Sequence, residues 1–426
     1  MTGPPVDRLT ALDRLMLSAG RRWPQEIGAL ALLDGTSLFD PAGELRVDAI
    51  REAMASRLDL VPRLRQVVQT SRGGPRWTDA PRFDLAEHVV VRPLPYGTVE
   101  AGLPAVAERL YGERLDPARP LWRIWLLPGL PDRRVAMIVR LHHVIADGVA
   151  AMMTVTALLG GPLPADRDPR AHDDPGQRHA GRNGRAWPAI RELIAARPGP
   201  RTSLDRTVGD GRRLAVIRHS LDEIRAIAHA AGATVNDVLL AVTAGGLRAV
   251  LRERGELAGA AVVPAYVPIS LRPPGGGPPQ GNAIAQMVVP LPVGEPDPGV
   301  ALRRIAAATA ERKARPHTSL DTLVRGGPLG RLILAAVMRQ RVNVATACIR
   351  GPATPLCLCG APVLDAVPML PLIANEPLAV GGLSYAGRFT IGVVADRDAY
   401  PDLEVFVAGA SAQLDRLGSS ARRAPA

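Results

Sequence analysis

A long polar segment interrupts the chain and sets the main constraint on its fold. Residues 161–213 are dominated by Pro, Gly, Arg, Asp and His, whereas the flanking sequence carries regular apolar patterns. The whole chain has 426 residues, which is long for one domain and comfortable for two of roughly 200 residues each. We therefore predict an N-terminal half at 1–160, a linker or crossover at 161–213 and a C-terminal half at 214–426.

Both flanking stretches mix two kinds of apolar periodicity. Apolar residues at helical spacing alternate with short, nearly continuous apolar runs of the kind that form buried strands. Aromatic residues make up only 3% of the chain, so we expect a core of Leu, Val, Ile and Ala. The predicted fold class is α/β, with two halves that are each two-layer α+β structures. The clearest helical patterns lie at 47–58, 101–114, 221–231 and 234–251, and the clearest strand patterns at 27–33, 121–127, 134–141, 262–270 and 285–291.

The charge balance narrows the range of partners. The chain has 52 Lys and Arg residues against 41 Asp and Glu residues, which gives a formal net charge of +11. An excess of this sign suits anionic partners such as phosphorylated compounds or anionic lipid. We expect no nucleic acid as a partner, because no Lys/Arg run is interleaved with aromatic residues.

The cysteines and the N-terminus bear on the location of the protein. Cys348, Cys357 and Cys359 form an odd, clustered set, which is a poor basis for disulfides and favours a reducing compartment. Their spacing lacks a second ligand pair, so we expect no metal site there. Residues 1–16 lack the pattern of a secretory signal, and no apolar run reaches the roughly 18 residues needed to span a bilayer. We expect a cytoplasmic protein, either soluble or peripherally attached to a membrane.

The most informative motif is the octapeptide Leu141–Gly148. Two adjacent histidines, His142 and His143, end an apolar strand, and Asp147 and Gly148 follow them. A neutral imidazole at a strand end is suited to general base catalysis, because its ordinary pKa lies near neutral pH. Two other interpretations stay open from the spacing alone. The histidines could be buried structural residues, or they could bind a metal, although no third ligand of suitable spacing lies nearby.

Residues 142–148 resemble the HHxxxDG signature of the acyltransferase superfamily that includes chloramphenicol acetyltransferase, carnitine acyltransferases and peptide-synthetase condensation domains. The surrounding motifs resemble one branch, the bacterial wax ester synthase/diacylglycerol acyltransferase family. They extend over nearly the whole chain in the order that this family has. The motifs are Trp77–His88, Leu115–Trp122, Val235–Val238, Val267–Arg272 with Gly281–Asn282, Leu383–Gly387 and Ala395–Asp398.

This resemblance implies both a fold and an activity. The fold would consist of two chloramphenicol-acetyltransferase-like domains with the active site in a tunnel between them. The activity would be transfer of a fatty acyl group from acyl-CoA to a hydroxyl of diacylglycerol or a long-chain alcohol, giving triacylglycerol or wax ester. Acyl-CoA is then a co-substrate, the second partner is a lipid hydroxyl acceptor, and no bound cofactor is expected.

The resemblance also assigns roles within the histidine motif. His143 is the expected general base, because the signature counts Asp147 from the second histidine. His142 is expected to support the loop. Asp147 is expected to orient the loop through a buried ion pair with Arg272, which ends a strand-like run.

Three further residues are candidates for substrate contacts. Asn236 could contact the developing oxyanion or the acceptor, or else cap a helix, since Asn is a favoured N-cap residue. Trp122 could line the acyl site, with ordinary core packing as the alternative. Lys313, the only lysine of the chain, could bind a phosphate of acyl-CoA, because an ammonium is a compact charge. Alternatively, Lys313 lies on the solvent-exposed face of a helix and binds no substrate.

Three departures from the family pattern concern the acceptor. Gln25–Gly28 stands where the family often has Met-His-Val-Gly, and Ala347–Pro352 stands where it has Ser-Asn-Val-Pro-Gly-Pro. Ala386 replaces the aspartate of the SYDG motif. These changes leave open a specialised-metabolite hydroxyl or an amine as the acceptor. A non-catalytic scaffold of the same fold is a further alternative.

Lipid substrates and a basic charge balance favour an anionic membrane or lipid-droplet surface as a further partner. The apolar stretch Leu329–Arg341 is flanked by arginines and could lie on such a surface, although a buried helix explains it equally well. We expect peripheral attachment, at the inner membrane face or at lipid droplets, without a spanning segment.

Overall fold

The computed structural model describes residues 8–71, 74–161, 201–271, 282–315 and 342–423. The chain divides into two compact units. The first consists of 1–166, 275–282 and 354–369, and the second consists of 167–274, 283–353 and 370–426. The predicted boundaries at 160 and 213 stay a prediction. However, residues 275–282 and 354–369 belong to the first unit. A division of the chain into consecutive halves does not predict this.

The described residues form a mixture of helices and strands, as the apolar patterns predict. The α-helices are α1 (Ala11–Gly20), α2 (Val47–Ala55), α3 (Leu103–Tyr111), α4 (Gly148–Leu158), α5 (Leu221–Ala230), α6 (Val235–Glu253), α7 (Pro298–Lys313) and α8 (Leu403–Arg423). The strands are β1 (Glu26–Asp34), β2 (Gln66–Ser71), β3 (Gly74–Asp79), β4 (Val89–Val91), β5 (Trp122–Pro128), β6 (Arg134–His142), β7 (Arg212–Ser220), β8 (Val263–Ser270), β9 (Ile284–Leu291), β10 (Val344–Arg350), β11 (Cys357–Leu358), β12 (Ala361–Met369), β13 (Leu378–Tyr385) and β14 (Arg388–Asp396).

A six-stranded sheet organises the first unit and carries the histidine motif at the end of one strand. Its order is β11-β12-β1-β6-β5-β4. Strand β6 lies between β1 and β5 and is antiparallel to both. From Val135 to His142 every residue of β6 is buried, which agrees with its continuous apolar run. The sheet therefore holds the start of the motif in a fixed register.

Strand β12 comes from late in the sequence and completes this sheet. It pairs antiparallel with β1, with Gly28 opposite Met369 and Leu30 opposite Val367. No apolar pattern singles out β12 in the sequence, because the strand is interrupted by the buried Asp365 and by Pro368. The structure thus joins β1 to a partner more than 300 residues away in the sequence.

The second unit contains another six-stranded sheet, in the order β7-β14-β13-β10-β8-β9. Helix α6 is buried along almost its whole length and packs against α8. Two glycines allow this close approach. A Cβ atom on Gly246 would lie 2.6 Å from the Phe406 ring, and one on Gly409 would lie 2.3 Å from the Cβ atom of Ala249. Both distances are shorter than van der Waals contact, so side chains at these positions would force the helices apart.

The SYDG-like segment forms the turn between β13 and β14. Tyr385 pairs with Arg388, and Ala386 and Gly387 form a two-residue hairpin loop with positive φ angles of 45° and 79°. Such turns favour Asn-Gly or Asp-Gly, because these residues tolerate the left-handed region. Ala386 therefore occupies a turn position that Asp or Asn would adopt with less strain, and its bearing on the acceptor stays a prediction.

Among the described residues, no single helix is both long and apolar enough to cross a membrane. Helices α5 and α6 pass that test only as a pair, and they are bent by 93° with respect to each other. The stretch Leu329–Arg341, predicted to lie on a surface or to be buried, falls outside the described residues.

Candidate active site

The histidine motif occupies the connection between β6 and α4. Strand β6 ends at His142, residues 143–145 form a turn, and α4 begins at Gly148. Asp147 is the N-cap of α4: its carboxylate accepts a hydrogen bond from the Ala150 N–H at 3.0 Å and is buried. The sheet and the helix cap therefore fix the loop from both ends. The predicted orienting role of Asp147 agrees with this geometry, whereas its predicted partner Arg272 lies outside the described residues.

His142 is a buried imidazole with one ring nitrogen hydrogen-bonded to the local backbone. Its Nδ1 atom accepts a hydrogen bond from the Val144 N–H at 3.0 Å, which places the proton of the neutral ring on Nε2. Nε2 faces Gly20 at the end of α1, where an added Cβ would lie 2.9 Å away. Burial, with a smaller contribution from His143, lowers the pKa of His142 to about 4. His142 is therefore neutral near pH 7 and closely packed, which is consistent with its predicted supporting role.

His143 lies in a different environment and is only partly buried. Its backbone N–H donates to the Gln25 carbonyl at 2.8 Å, which ties the start of the turn to the residue before β1. Its Nδ1 atom lies 2.8 Å from Oδ1 of Asn282. The Asn282 Nδ2 group donates to the His143 carbonyl at 2.8 Å, so Oδ1 is the atom that faces the ring. An amide oxygen only accepts, so in the neutral ring of His143 the proton is on Nδ1 and the lone pair is on Nε2.

No hydrogen bond to Nε2 of His143 comes from any residue that the structure describes. A neutral imidazole with Nδ1–H anchored and Nε2 unoccupied has the protonation pattern that a general base needs. The difference between the two histidines arises because β6 ends at His142. His143 already belongs to the turn and lies outside the strand.

Asn236 is not the cap of its helix. Thr234 is the N-cap of α6, and a capping box links it to Asp237, whose other oxygen accepts from Thr309 Oγ1 at 2.7 Å. The sequence alternative in which Asn236 caps the helix is therefore wrong. The Asn236 side chain is partly exposed in the first turn of α6 and makes no hydrogen bond to described residues. Its contact with the oxyanion or acceptor stays a prediction.

Trp122 is buried in the first unit, and its polar atom is satisfied. Its indole N–H donates to the Leu64 carbonyl at 2.7 Å. His88 stacks on the Trp122 ring with a centroid distance of 4.6 Å and binds the Trp122 carbonyl through Nδ1 at 2.8 Å. Phe83 stacks on the other side of His88 at 5.3 Å. These contacts make core packing a sufficient account of Trp122, and its role in lining the acyl site stays a prediction.

Lys313 is the last residue of α7 and is partly buried. Its predicted contact with a phosphate of acyl-CoA stays a prediction. Within the described ranges, no cluster of three or more His, Cys, Asp or Glu side chains could hold a metal ion.

Gln25 and Glu26, which differ from the family pattern, lie directly beside the histidine motif. In the pairing of β1 with β6, Glu26 is opposite His142, and the Gln25 carbonyl binds the His143 N–H. The Glu26 carboxylate is buried 3.6 Å from the guanidinium of the buried Arg140. Burial is the main cause that raises the pKa of Glu26, and Arg140 partly offsets it. The backbone of Gln25 thus contacts the motif, and the side chain of Glu26 contacts the strand that leads to it.

The sequence analysis assigns no role to two residues that contact the site, Asn282 and Asp13. Asn282 stands out there only as part of a Gly-Asn motif, without a role. Asp13 does not stand out at all, and it accepts a hydrogen bond from Asn282 Nδ2 at 3.1 Å. The available signal for Asp13 is the Thr10-x-x-Asp13 spacing of a capping box at the start of α1.

Comparison with known families agrees with this arrangement. Residues 9–197 and 177–239 match the wax ester synthase/diacylglycerol acyltransferase catalytic domain, and residues 280–418 match the C-terminal domain of the same family. The chain belongs to the wax ester synthase/diacylglycerol acyltransferase family. This confirms the family predicted from the motifs.

Curated members of the wax ester synthase/diacylglycerol acyltransferase family resemble the chain over almost its full length. A probable diacylglycerol O-acyltransferase of Mycobacterium tuberculosis H37Rv is 29% identical over 457 residues, covering 98% of this chain and 97% of the relative. A second probable diacylglycerol O-acyltransferase of the same strain is 28% identical over 442 residues, covering 93% and 95%.

Solved structures confirm the fold of this wax ester synthase/diacylglycerol acyltransferase family member. A wax ester synthase/diacylglycerol acyltransferase from Marinobacter aquaeolei VT8 superposes with a TM-score of 0.72 at 24% identity, covering 98% of this chain and all of that one. The first condensation domain of the CDA synthetase gives a TM-score of 0.65 at 15% identity, covering 99% and 98%. The predicted fold of two chloramphenicol-acetyltransferase-like α/β halves is therefore confirmed. The predicted tunnel between the halves stays a prediction.

Proposed function

We propose that this protein transfers a fatty acyl group from acyl-CoA to a hydroxyl of diacylglycerol or a long-chain alcohol. The products are CoA and either triacylglycerol or wax ester. The observation that carries the proposal is the contact of 2.8 Å between Nδ1 of His143 and Oδ1 of Asn282, which assigns the proton of the neutral ring to Nδ1 and leaves Nε2 to act as a base. The family membership of the chain and the diacylglycerol acyltransferase names of its relatives support the choice of substrates.

The proposed chemistry needs one base and no covalent enzyme intermediate. Nε2 of His143 takes the proton of the acceptor hydroxyl as its oxygen attacks the thioester carbonyl. The tetrahedral intermediate collapses, the carbon–sulfur bond breaks, and the resulting imidazolium returns the proton to the CoA thiolate. General base catalysis of this kind contributes roughly two to four orders of magnitude, and positioning of the two substrates contributes much of the rest.

Acyl-CoA as the donor has separate support from a structural neighbour. The starter condensation domain of rhizomide synthetase, solved in complex with C8-CoA and Leu-SNAC, superposes on this chain with a TM-score of 0.64 at 17% identity. A fold that accommodates an acyl-CoA in that protein is compatible with the same donor here. The roles of Asn236, Trp122 and Lys313 toward the two substrates are part of this proposal.

The test is an acceptor panel with purified protein and palmitoyl-CoA. The acceptors are diacylglycerol, hexadecanol, a small hydroxylated metabolite and a primary amine. Chromatography should quantify both CoA and the acylated product, because the thiols of the three exposed cysteines would react with a thiol-specific dye. We expect product with diacylglycerol or hexadecanol. Product only with the metabolite or the amine would reassign the acceptor, and absence of CoA release with every acceptor would favour the scaffold alternative.

We also propose peripheral attachment to an anionic membrane or lipid-droplet surface, because the net charge is +11 and the proposed substrates are lipids. Electrostatic attachment of this kind weakens as salt screens the charges. The measurement is co-flotation with phosphatidylglycerol-containing vesicles at low and high salt, with neutral phosphatidylcholine vesicles as the control. Equal flotation with both vesicle types, or none with either at low salt, would contradict the electrostatic attachment.

A further inference from the structure

Helix α1 reaches the catalytic histidine through one intermediate side chain. Asp13 is buried at the third position of α1, and its Oδ1 atom accepts a hydrogen bond from Asn282 Nδ2 at 3.1 Å. Its Oδ2 atom accepts from the Thr10 N–H at 3.0 Å, which closes the capping box of the helix. All of these residues, with His143, belong to the first unit. One carboxylate oxygen of Asp13 therefore belongs to the helix cap, and the other binds the side chain that contacts His143.

From this chain of hydrogen bonds we infer that Asp13 is a positioning residue. It acts through Asn282 to hold His143 in the tautomer with the proton on Nδ1. The inference rests on the proposed function, because the tautomer matters for catalysis only if Nε2 of His143 is the base.

The direction of the hydrogen bonds carries the argument. A carboxylate and a carbonyl only accept, so Asp13 and the His143 carbonyl both require the NH2 end of the Asn282 amide. The oxygen end must then face the His143 ring, which must supply an N–H. If the amide rotated by 180°, its oxygen would meet two acceptors, and its NH2 would donate to Nδ1. That arrangement would move the proton to Nε2 and remove the base.

The substitution Asp13→Asn tests this polarity with little change in shape. The oxygen of the introduced amide can keep the bond from the Thr10 N–H, and its NH2 group then faces Asn282. We expect Asn282 to turn its oxygen toward that NH2 group, at the expense of its bond to the His143 carbonyl, so that its own NH2 group faces Nδ1 of His143. We expect kcat to fall roughly tenfold or more, the factor that corresponds to one hydrogen bond to a charged group. The KM for acyl-CoA should change little, because no substrate contact is removed.

The spectroscopic readout is nitrogen-15 NMR of histidine-labelled protein, above the pH at which the ring is protonated. The chemical shifts of the two ring nitrogens report which one carries the proton. In the wild type we expect the proton of His143 on Nδ1, and in Asp13→Asn on Nε2. Since this measurement needs no turnover, it decides the inference even if the acceptor panel disproves acyl transfer.

Two further variants separate positioning from helix stability. Thr10→Ala breaks the capping box and leaves the Asp13–Asn282 bond, so it should lower Tm without moving the tautomer. Asn282→Asp places two carboxylates against each other and should lose most activity. The double variant Asp13→Asn/Asn282→Asp reverses the polarity: the amide at position 13 donates to the carboxylate at position 282, which accepts from Nδ1–H, while the His143 carbonyl loses its donor. We expect it to recover at least tenfold in kcat over Asn282→Asp.

Three results would overturn the inference. An unchanged tautomer in Asp13→Asn would show that Asp13 does not set it. A loss of kcat in Thr10→Ala equal to that in Asp13→Asn would assign the effect to the helix cap. A double variant no more active than Asn282→Asp would show that the polarity of the pair is irrelevant.

Discussion

Replacing each histidine of the motif by alanine separates the two roles proposed for them. His143→Ala removes the proposed base and leaves the β6 strand intact. His142→Ala removes a buried side chain and leaves His143 with its Asn282 partner. We expect His143→Ala to abolish transfer and His142→Ala mainly to destabilise the protein.

The size of each effect follows from the contacts. Loss of a general base costs roughly 10²- to 10⁴-fold in turnover, or about 3–5 kcal/mol of transition-state stabilisation. Loss of His142 leaves the N–H of the buried Val144 without its acceptor, which costs about 1–3 kcal/mol, and the emptied space adds to this. A total of roughly 3 kcal/mol would lower Tm by about 6–12 °C in a unit of this size.

The assay measures turnover and Tm for both variants with the same acyl-CoA and acceptor. His142→Asn is the matched control, because its side-chain oxygen can replace Nδ1 as the acceptor for the Val144 N–H. It should recover part of the lost Tm. A folded His143→Ala protein with near-normal turnover would refute the base assignment. Loss of turnover in His142→Ala at an unchanged Tm would reverse the two roles.

Three other outcomes can be checked on the same protein. Because the pKa of His142 is about 4 in the folded protein and near 6.5 when unfolded, unfolding takes up a proton between these values. Stability should therefore fall as pH drops from 6.5 to 4, and urea titrations should show a smaller fall for His142→Asn. Ala386→Asn should raise Tm by a few degrees, since Asn tolerates the φ of 45° better than Ala by roughly 1 kcal/mol, whereas Ala386→Val should lower it. Lys313→Arg should raise the KM for acyl-CoA if the ammonium binds a phosphate, and an unchanged KM would remove Lys313 from the site.

The sequence alone was sufficient to predict the α/β class, the main strands and the family. The reason is local: β6 is buried on both sides, so its apolar run is continuous, and the motif that follows it is contiguous in sequence. Helices α5 and α6 were also predictable, because their apolar spacing lies within a few turns of chain, although the cap of α6 is Thr234 and not Asn236.

Only the tertiary structure decided which atoms surround the base. Asn282 lies 139 residues after His143, and Asp13 lies 269 residues before Asn282. No local pattern encodes hydrogen bonds over such separations, since they depend on the packing of α1 and of residue 282 in the first unit. The same holds for β12, whose partner β1 is distant in sequence. The sequence therefore pointed to His143 as the proposed base, and the long-range packing determined which of its nitrogens is held.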